Sequence, residues 1–193
     1  MKNLLLLSAV ATCAAAQAAV IFQEGNFTGG DNVLSGPIEG PAIVVKGEIN
    51  SGGPVVVFTN NDGYLMTYTG GQATLEADDD DEPLRDFTVT MDDSGLWIDG
   101  IGLTIDVDDD GEVEFTTVTN EGTFSSTFDV DGNGNNRFRI TTSGATEIYS
   151  LRVDTDVDMD AVKQVRINAV PEPGTMAALA VGALGVLRRR ARK

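Results

Sequence analysis

Apolar and polar side chains alternate in short bursts along most of this chain, with a period of two rather than 3.6. In Phe87-Thr88-Val89-Thr90-Met91 the apolar residues take one face and the threonines the other. Arg137-Phe138-Arg139-Ile140 likewise sets two arginines outward and two apolar residues inward. Bursts of this kind predict strands over Ala42–Ile49, Val55–Thr59, Tyr64–Tyr68, Ala73–Ala77, Phe87–Met91, Ile101–Val107, Val113–Val118, Thr123–Val130, Arg137–Thr142, Glu147–Val153 and Val162–Asn168. No segment between the two ends of the chain carries a helical period. Antiparallel strands with one apolar face need a second sheet to cover it. The pattern therefore predicts an all-β fold, a single antiparallel β-sandwich of jelly-roll type.

Turn chemistry divides the strands. Asn61-Asp62-Gly63 predicts a hairpin between its flanking strands, because these residues tolerate the positive φ of tight turns. Gly52-Gly53-Pro54, Gly70-Gly71 and Ser143-Gly144 punctuate in the same way. Asp78–Glu82, a carboxylate run before Pro83, cannot be buried and reads as a solvated loop.

The two ends break the alternation. Lys2, the apolar run Leu4–Ala11 and Ala16-Gln17-Ala18 form the three regions of a Sec signal peptide over residues 1–18, with Ala19 as the mature start. Val10-Ala11-Thr12-Cys13 offers a competing lipobox-like reading, in which Thr before the Cys fits poorly. Cys13 is the only cysteine, so cleavage after Ala18 leaves none for disulfides or catalysis. At the other end, the prolines of Val170-Pro171-Glu172-Pro173 predict extended chain unable to join a sheet or helix. An uncharged run of 14 residues, Gly174–Leu187, follows. As a helix it spans about 21 Å against roughly 30 Å of hydrocarbon, which suits a temporary anchor better than a permanent one. Arg188, Arg189, Arg190, Arg192 and Lys193 close the chain as a cytoplasmic-side basic cluster.

In that order the C-terminal parts resemble the PEP-CTERM sorting signal of Gram-negative bacteria, which the membrane protease exosortase recognises. The resemblance implies that Val170, Pro171, Glu172 and Pro173 are sorting and processing elements, and that Arg188, Arg189 and Arg190 retain the tail in the inner membrane. It also implies signal peptidase and exosortase as partners, a transient inner-membrane stage, and delivery to the cell surface or an exopolysaccharide-rich extracellular matrix. Gly70-Gly71-Gln72-Ala73, Gly132-Asn133-Gly134-Asn135-Asn136-Arg137-Phe138-Arg139-Ile140 and Lys163-Gln164-Val165-Arg166-Ile167 look like recurrent segments of β-sandwich ectodomains that precede such tails. That likeness implies a fold and no activity. The expected organisation is a signal peptide at 1–18, an ectodomain at 19–169, and a sorting signal at 170–193 with its short membrane segment at 174–187.

Composition narrows the function of the body. Its seven basic residues face 29 carboxylates, a net charge of −22, which repels nucleic acid and anionic lipid. The chain has no histidine, so the commonest general base and transition-metal ligand are missing, and neither Ser-His-Asp nor Cys-His catalysis is available. A glycosidase needs only two carboxylates, and 29 candidates single out no pair. A non-enzymatic structural or adhesive role is the leading expectation, with a carbohydrate-binding module and a polysaccharide-acting enzyme as alternatives.

Three features could carry binding chemistry. Asp106-x-Asp108-x-Asp110-Gly111 and Asp129-x-Asp131-x-Asn133-Gly134, the latter extended by Asn135, match the front half of a calcium loop. Neither places Glu at the twelfth position, where Thr117 and Ile140 stand, and polar β-turns use the same residues. A weak Ca²⁺ site and an ordinary turn thus remain alternatives. Asp154, Asp156, Asp158 and Asp160 alternate, and on a strand they would share one face about 7 Å apart. Loose cation binding and a charged edge that discourages pairing are the two readings of that run. Trp97 is the only tryptophan, either a core residue or a platform for a glycan.

Overall fold

The computed structural model describes residues 19–70, 74–78 and 83–171. The expected signal peptide, the acidic residues Asp79–Glu82, and Glu172 onward, including the membrane segment and basic cluster, lie outside the described residues. Twelve strands are present: β1 (Ala19–Glu24), β2 (Asp31–Ile38), β3 (Val44–Ile49), β4 (Val55–Asn60), β5 (Met66–Thr69), β6 (Thr74–Ala77), β7 (Leu84–Met91), β8 (Leu96–Val107), β9 (Gly111–Thr119), β10 (Gly122–Val130), β11 (Asn136–Ser143) and β12 (Ile148–Pro171). Every pairing among them is antiparallel.

The expected all-β sandwich forms, with a barrel-like closure made by β12. The first half of this 24-residue strand lies between β7 and β9, and its second half lies between β8 and β2. One layer therefore runs β3-β4-β7-β12-β9-β10 and the other runs β1-β11-β8-β12-β2. β2 pairs with β3 to join the layers on the far side. The register of β12 against β7 shifts between Asp154 and Met159, which lets one strand serve both layers. Two expected strands, Glu147–Val153 and Val162–Asn168, are thus one.

The core follows from the alternation. Phe58, Phe87, Phe115, Ile101, Ile105 and Leu151 are fully buried between the layers. Asn61-Asp62-Gly63 does not make the expected hairpin, since β4 pairs with β3 and β7 whereas β5 pairs with β6. Its positive φ is present at Gly63 (+83°), but the turn carries the chain out of one pairing into another. The Asn61 amide donates to Asp86 Oδ1 at 2.6 Å and Thr88 Oγ1 at 2.9 Å, holding the turn against β7.

Tyr68 on β5 shows what a buried polar tip contributes. Its ring sits 4.7 Å from that of Phe58, and its hydroxyl donates to the Val33 carbonyl at 2.9 Å. Burial pushes its phenol far above the usual tyrosine range. The neutral form is favoured in the fold, so this contribution is whole below about pH 10 and is lost as pH rises from there toward the raised value. Alkaline unfolding of Tyr68→Phe is expected to lack that component, at a cost near neutrality of about 1 kcal/mol for the lost hydrogen bond. Parallel pH–stability curves for the two proteins would contradict this.

Candidate functional site

The candidate sites lie on loops, at strand ends and along β12. Residues 108–110 join β8 to β9 and 131–135 join β10 to β11, and the two loops touch where the Gly132 N–H donates to Asp110 Oδ1 at 3.0 Å. Within the second loop, Asp131 Oδ1 accepts from the Asn133 N–H at 2.8 Å, closing a turn on itself. The Asn136 amide donates to the Asp131 carbonyl at 3.0 Å and to that of Ile105 at 3.2 Å. Asp106 pairs with Lys163 at 2.5 Å, and Asp108 faces Asp160 of β12. Asp129 lies on β10 across from Glu112, and Asn133 and Asn135 are exposed. The convergent oxygens of a calcium loop are therefore not assembled. Among the described residues no three acidic side chains gather in a group able to hold a metal ion.

The alternating aspartates Asp154 to Asp160 do share the outer side of β12, each with its own partner. Asp154 pairs with Arg152 at 2.9 Å, Asp156 accepts from the Glu112 N–H at 2.7 Å, Asp158 pairs with Arg85, and Asp160 meets Asp108. The bond and charge of Asp160 hold the Asp108 carboxyl above the usual carboxylate range, and burial first of all raises that of Asp154. A raised folded value means that protonation favours the fold. This contribution is whole below the ordinary value of 3.8 and is lost as pH rises through the raised values. The melting temperature is expected to gain from this term as the pH is lowered from 7 toward the ordinary value of 3.8, and Asp108→Asn should flatten part of that gain. A flat profile in the wild type would contradict this.

Trp97 is buried, with 8 % of its surface exposed, at the start of β8. An exposed stacking platform is thereby corrected: a ring so covered has no free face to offer a sugar. The exposed tyrosines are Tyr64 (40 %) and Tyr149 (46 %) instead.

The sorting segment begins inside the fold. Ala169 pairs with Ile98, Val170 with Trp97 and Pro171 with Leu96. The expectation that Val170 and Pro171 stay out of the sheet is thus corrected, whereas their extended conformation holds. Pro171 is tolerated because it is the last residue of the strand, where no further ladder donor is required of it. Glu172 and Pro173, with Arg188, Arg189 and Arg190, lie outside the described residues.

Residues 169–193 match the model of the PEP-CTERM protein-sorting motif. No curated protein and no solved structure matches the chain. The matched segment coincides with the proline turn, apolar run and basic cluster of the sequence, and its first three residues are the end of β12. The chain, all-β over its described residues, thus carries a PEP-CTERM sorting motif, which implies a secreted product processed by exosortase.

Proposed function

We propose that this protein is a non-enzymatic component of the bacterial surface or extracellular matrix. Sec exports it, signal peptidase removes residues 1–18, and the tail holds it transiently in the inner membrane. Exosortase then processes it near Pro171-Glu172-Pro173. The released body acts as a structural or adhesive sandwich associated with exopolysaccharide. The observation that carries this reading is the sorting motif over residues 169–193. The net charge of −22 supports it too, because a strongly acidic body stays soluble and apart from anionic lipid once its basic tail is gone.

The test is expression of the full chain with and without exosortase. With the enzyme, intact-mass spectrometry should show loss of the tail and the product should leave the membrane fraction. Without it, the tail should stay attached and the protein should sediment with membranes. An unchanged full-length protein in both strains would overturn the reading.

A further inference from the structure

Seven cations serve the body, and four of them are spoken for. Lys46 pairs with Asp92, Arg85 with Asp158, Arg152 with Asp86 and Asp154, and Lys163 with Asp106. The other three, Arg137, Arg139 and Arg166, form no ion pair among the described residues. In a body with 29 carboxylates this is the unexpected outcome. All three lie on one side of one layer. Arg139 and Arg166 both stand opposite Gly102 of β8, one on β11 and the other on β12, and Arg137 stands opposite Thr104. Strand spacing puts Arg139 and Arg166 about 10 Å apart, with a residue lacking a side chain between them.

A cavity of about 380 Å³ opens over this ground, of the size of small-molecule sites. Its lining includes Arg137 and Arg166 and no acidic residue. Asn26, Asn32, Thr28, Thr104 and Gln164 supply neutral polar groups around it. Arg166 is aimed, since its Nε donates to Asn32 Oδ1 at 3.0 Å. Arg139 extends the strip beyond the cavity, with its Nε buried and without a partner. Phe27 supplies the apolar part of the lining by lying along β8, where a Cβ on Gly102 would stand 2.2 Å from its own Cβ and one on Gly100 would stand 2.7 Å from its ring. Only glycine at 100 and 102 admits the ring. Gln164, on the rim, holds φ +53°, a conformation unusual for a residue with its side chain. Strain of this sort collects where a side chain must be presented.

We infer that this cavity binds an acidic saccharide, its carboxylate held by Arg137 and Arg166 and its hydroxyls by the surrounding amide and hydroxyl side chains. Guanidinium forks match a planar carboxylate with two parallel hydrogen bonds, and neutral amides match the mixed donor–acceptor character of sugar hydroxyls. A second cavity shares Arg137 and is lined by Glu24, Asp110, Glu112, Asp129 and Asp131. These carboxylates repel an anion from that side and keep the acid group over the first cavity, between Arg137 and Arg166. The inference rests on the proposed surface role for its setting. Loss of exosortase-dependent processing would strike that role and leave a binding result standing, whereas failure to bind would strike the cavity alone.

The test is calorimetric titration of the full chain in mild non-ionic detergent with a galacturonate trisaccharide, its methyl ester, and sodium sulfate. The acid form should bind, the ester about tenfold more weakly or not at all, and binding of the acid should weaken as NaCl is raised from roughly 50 to 500 mM. Arg137→Gln and Arg166→Gln should each weaken it about tenfold. Arg137 is exposed and has no side-chain partner among the described residues, so its variant keeps the fold and decides the matter even if Arg166→Gln does not. No binding, equal binding of acid and ester, or an unaffected Arg137→Gln would overturn the inference. Sulfate competing as well as the trisaccharide would overturn the saccharide assignment in favour of a bare oxyanion site.

Discussion

Phe115→Ala is expected to destabilise the fold by about 3–5 kcal/mol, a large share of what holds a domain of this size together. Phe115 on β9 is fully buried, with its ring 4.9 Å from that of Phe138 on β11 and 6.0 Å from that of Phe128 on β10. Phe128 and Phe138 complete the triangle at 5.5 Å. β9 and β10 belong to one layer and β11 to the other, so the three rings bind the layers together at one end. Truncation removes the burial of a whole ring and leaves a cavity that paired strands cannot collapse into. Phe124→Ala is the control, because that ring on β10 is only half-buried and should cost distinctly less. Urea unfolding of both variants reads the difference. A loss for Phe115→Ala no larger than for the control would show that the layers are not held there.

Asp86→Ala is the second large expectation, at about 2–3 kcal/mol. Asp86 is 8 % exposed on β7 and accepts three side-chain bonds: from Arg152 Nε at 2.9 Å, from Arg152 Nη2 at 2.6 Å and from the Asn61 amide at 2.6 Å. One carboxylate thereby ties β7 to β12 and to the turn after β4. Its removal leaves a half-exposed Arg152 that still has Asp154 and can recover water, which is why the upper range for a broken buried pair is not expected. A double-mutant cycle with Arg152→Ala isolates the pair, and a coupling below about 0.5 kcal/mol would reduce it to an ordinary surface contact.

Local alternation was legible wherever a strand buries one face. Phe138 and Ile140 are buried while Arg137 is exposed, as the pattern of β11 predicts. β1 and β2 were not legible. Ala19–Glu24 reads as the start of a processed chain, and Asp31–Ile38 is interrupted by Gly36 and Pro37. Both interruptions have a place: the register of β2 against β3 shifts between Ser35 and Ile38, and a Cβ on Gly36 would stand 2.6 Å from the Lys46 carbonyl oxygen. The Asn61-Asp62-Gly63 turn predicts a hairpin that does not form, because local chemistry reports φ and not the identity of the pairing partner. In the two aspartate loops Asp110 and Asp131 are taken by backbone N–H groups and Asp106 by Lys163, a partner that spacing does not name. The arginine cavity failed for a related reason. Arg137 and Arg166 lie far apart in the chain, and only β8 between β11 and β12 brings them together. The sorting motif was legible over residues 169–193, since its meaning lies in linear order.

β12 pairs with five other strands and closes both layers, and it is the last of the twelve to be synthesised. On the export route proposed above, the strand that closes both layers is the last to cross. The fold and the sorting motif thus share residues 169–171, so the address begins inside the strand that completes the body. A cut placed ahead of Ala169 would strip the pairs to Ile98, Trp97 and Leu96 from the finished body, so the junction itself favours release beyond Pro171.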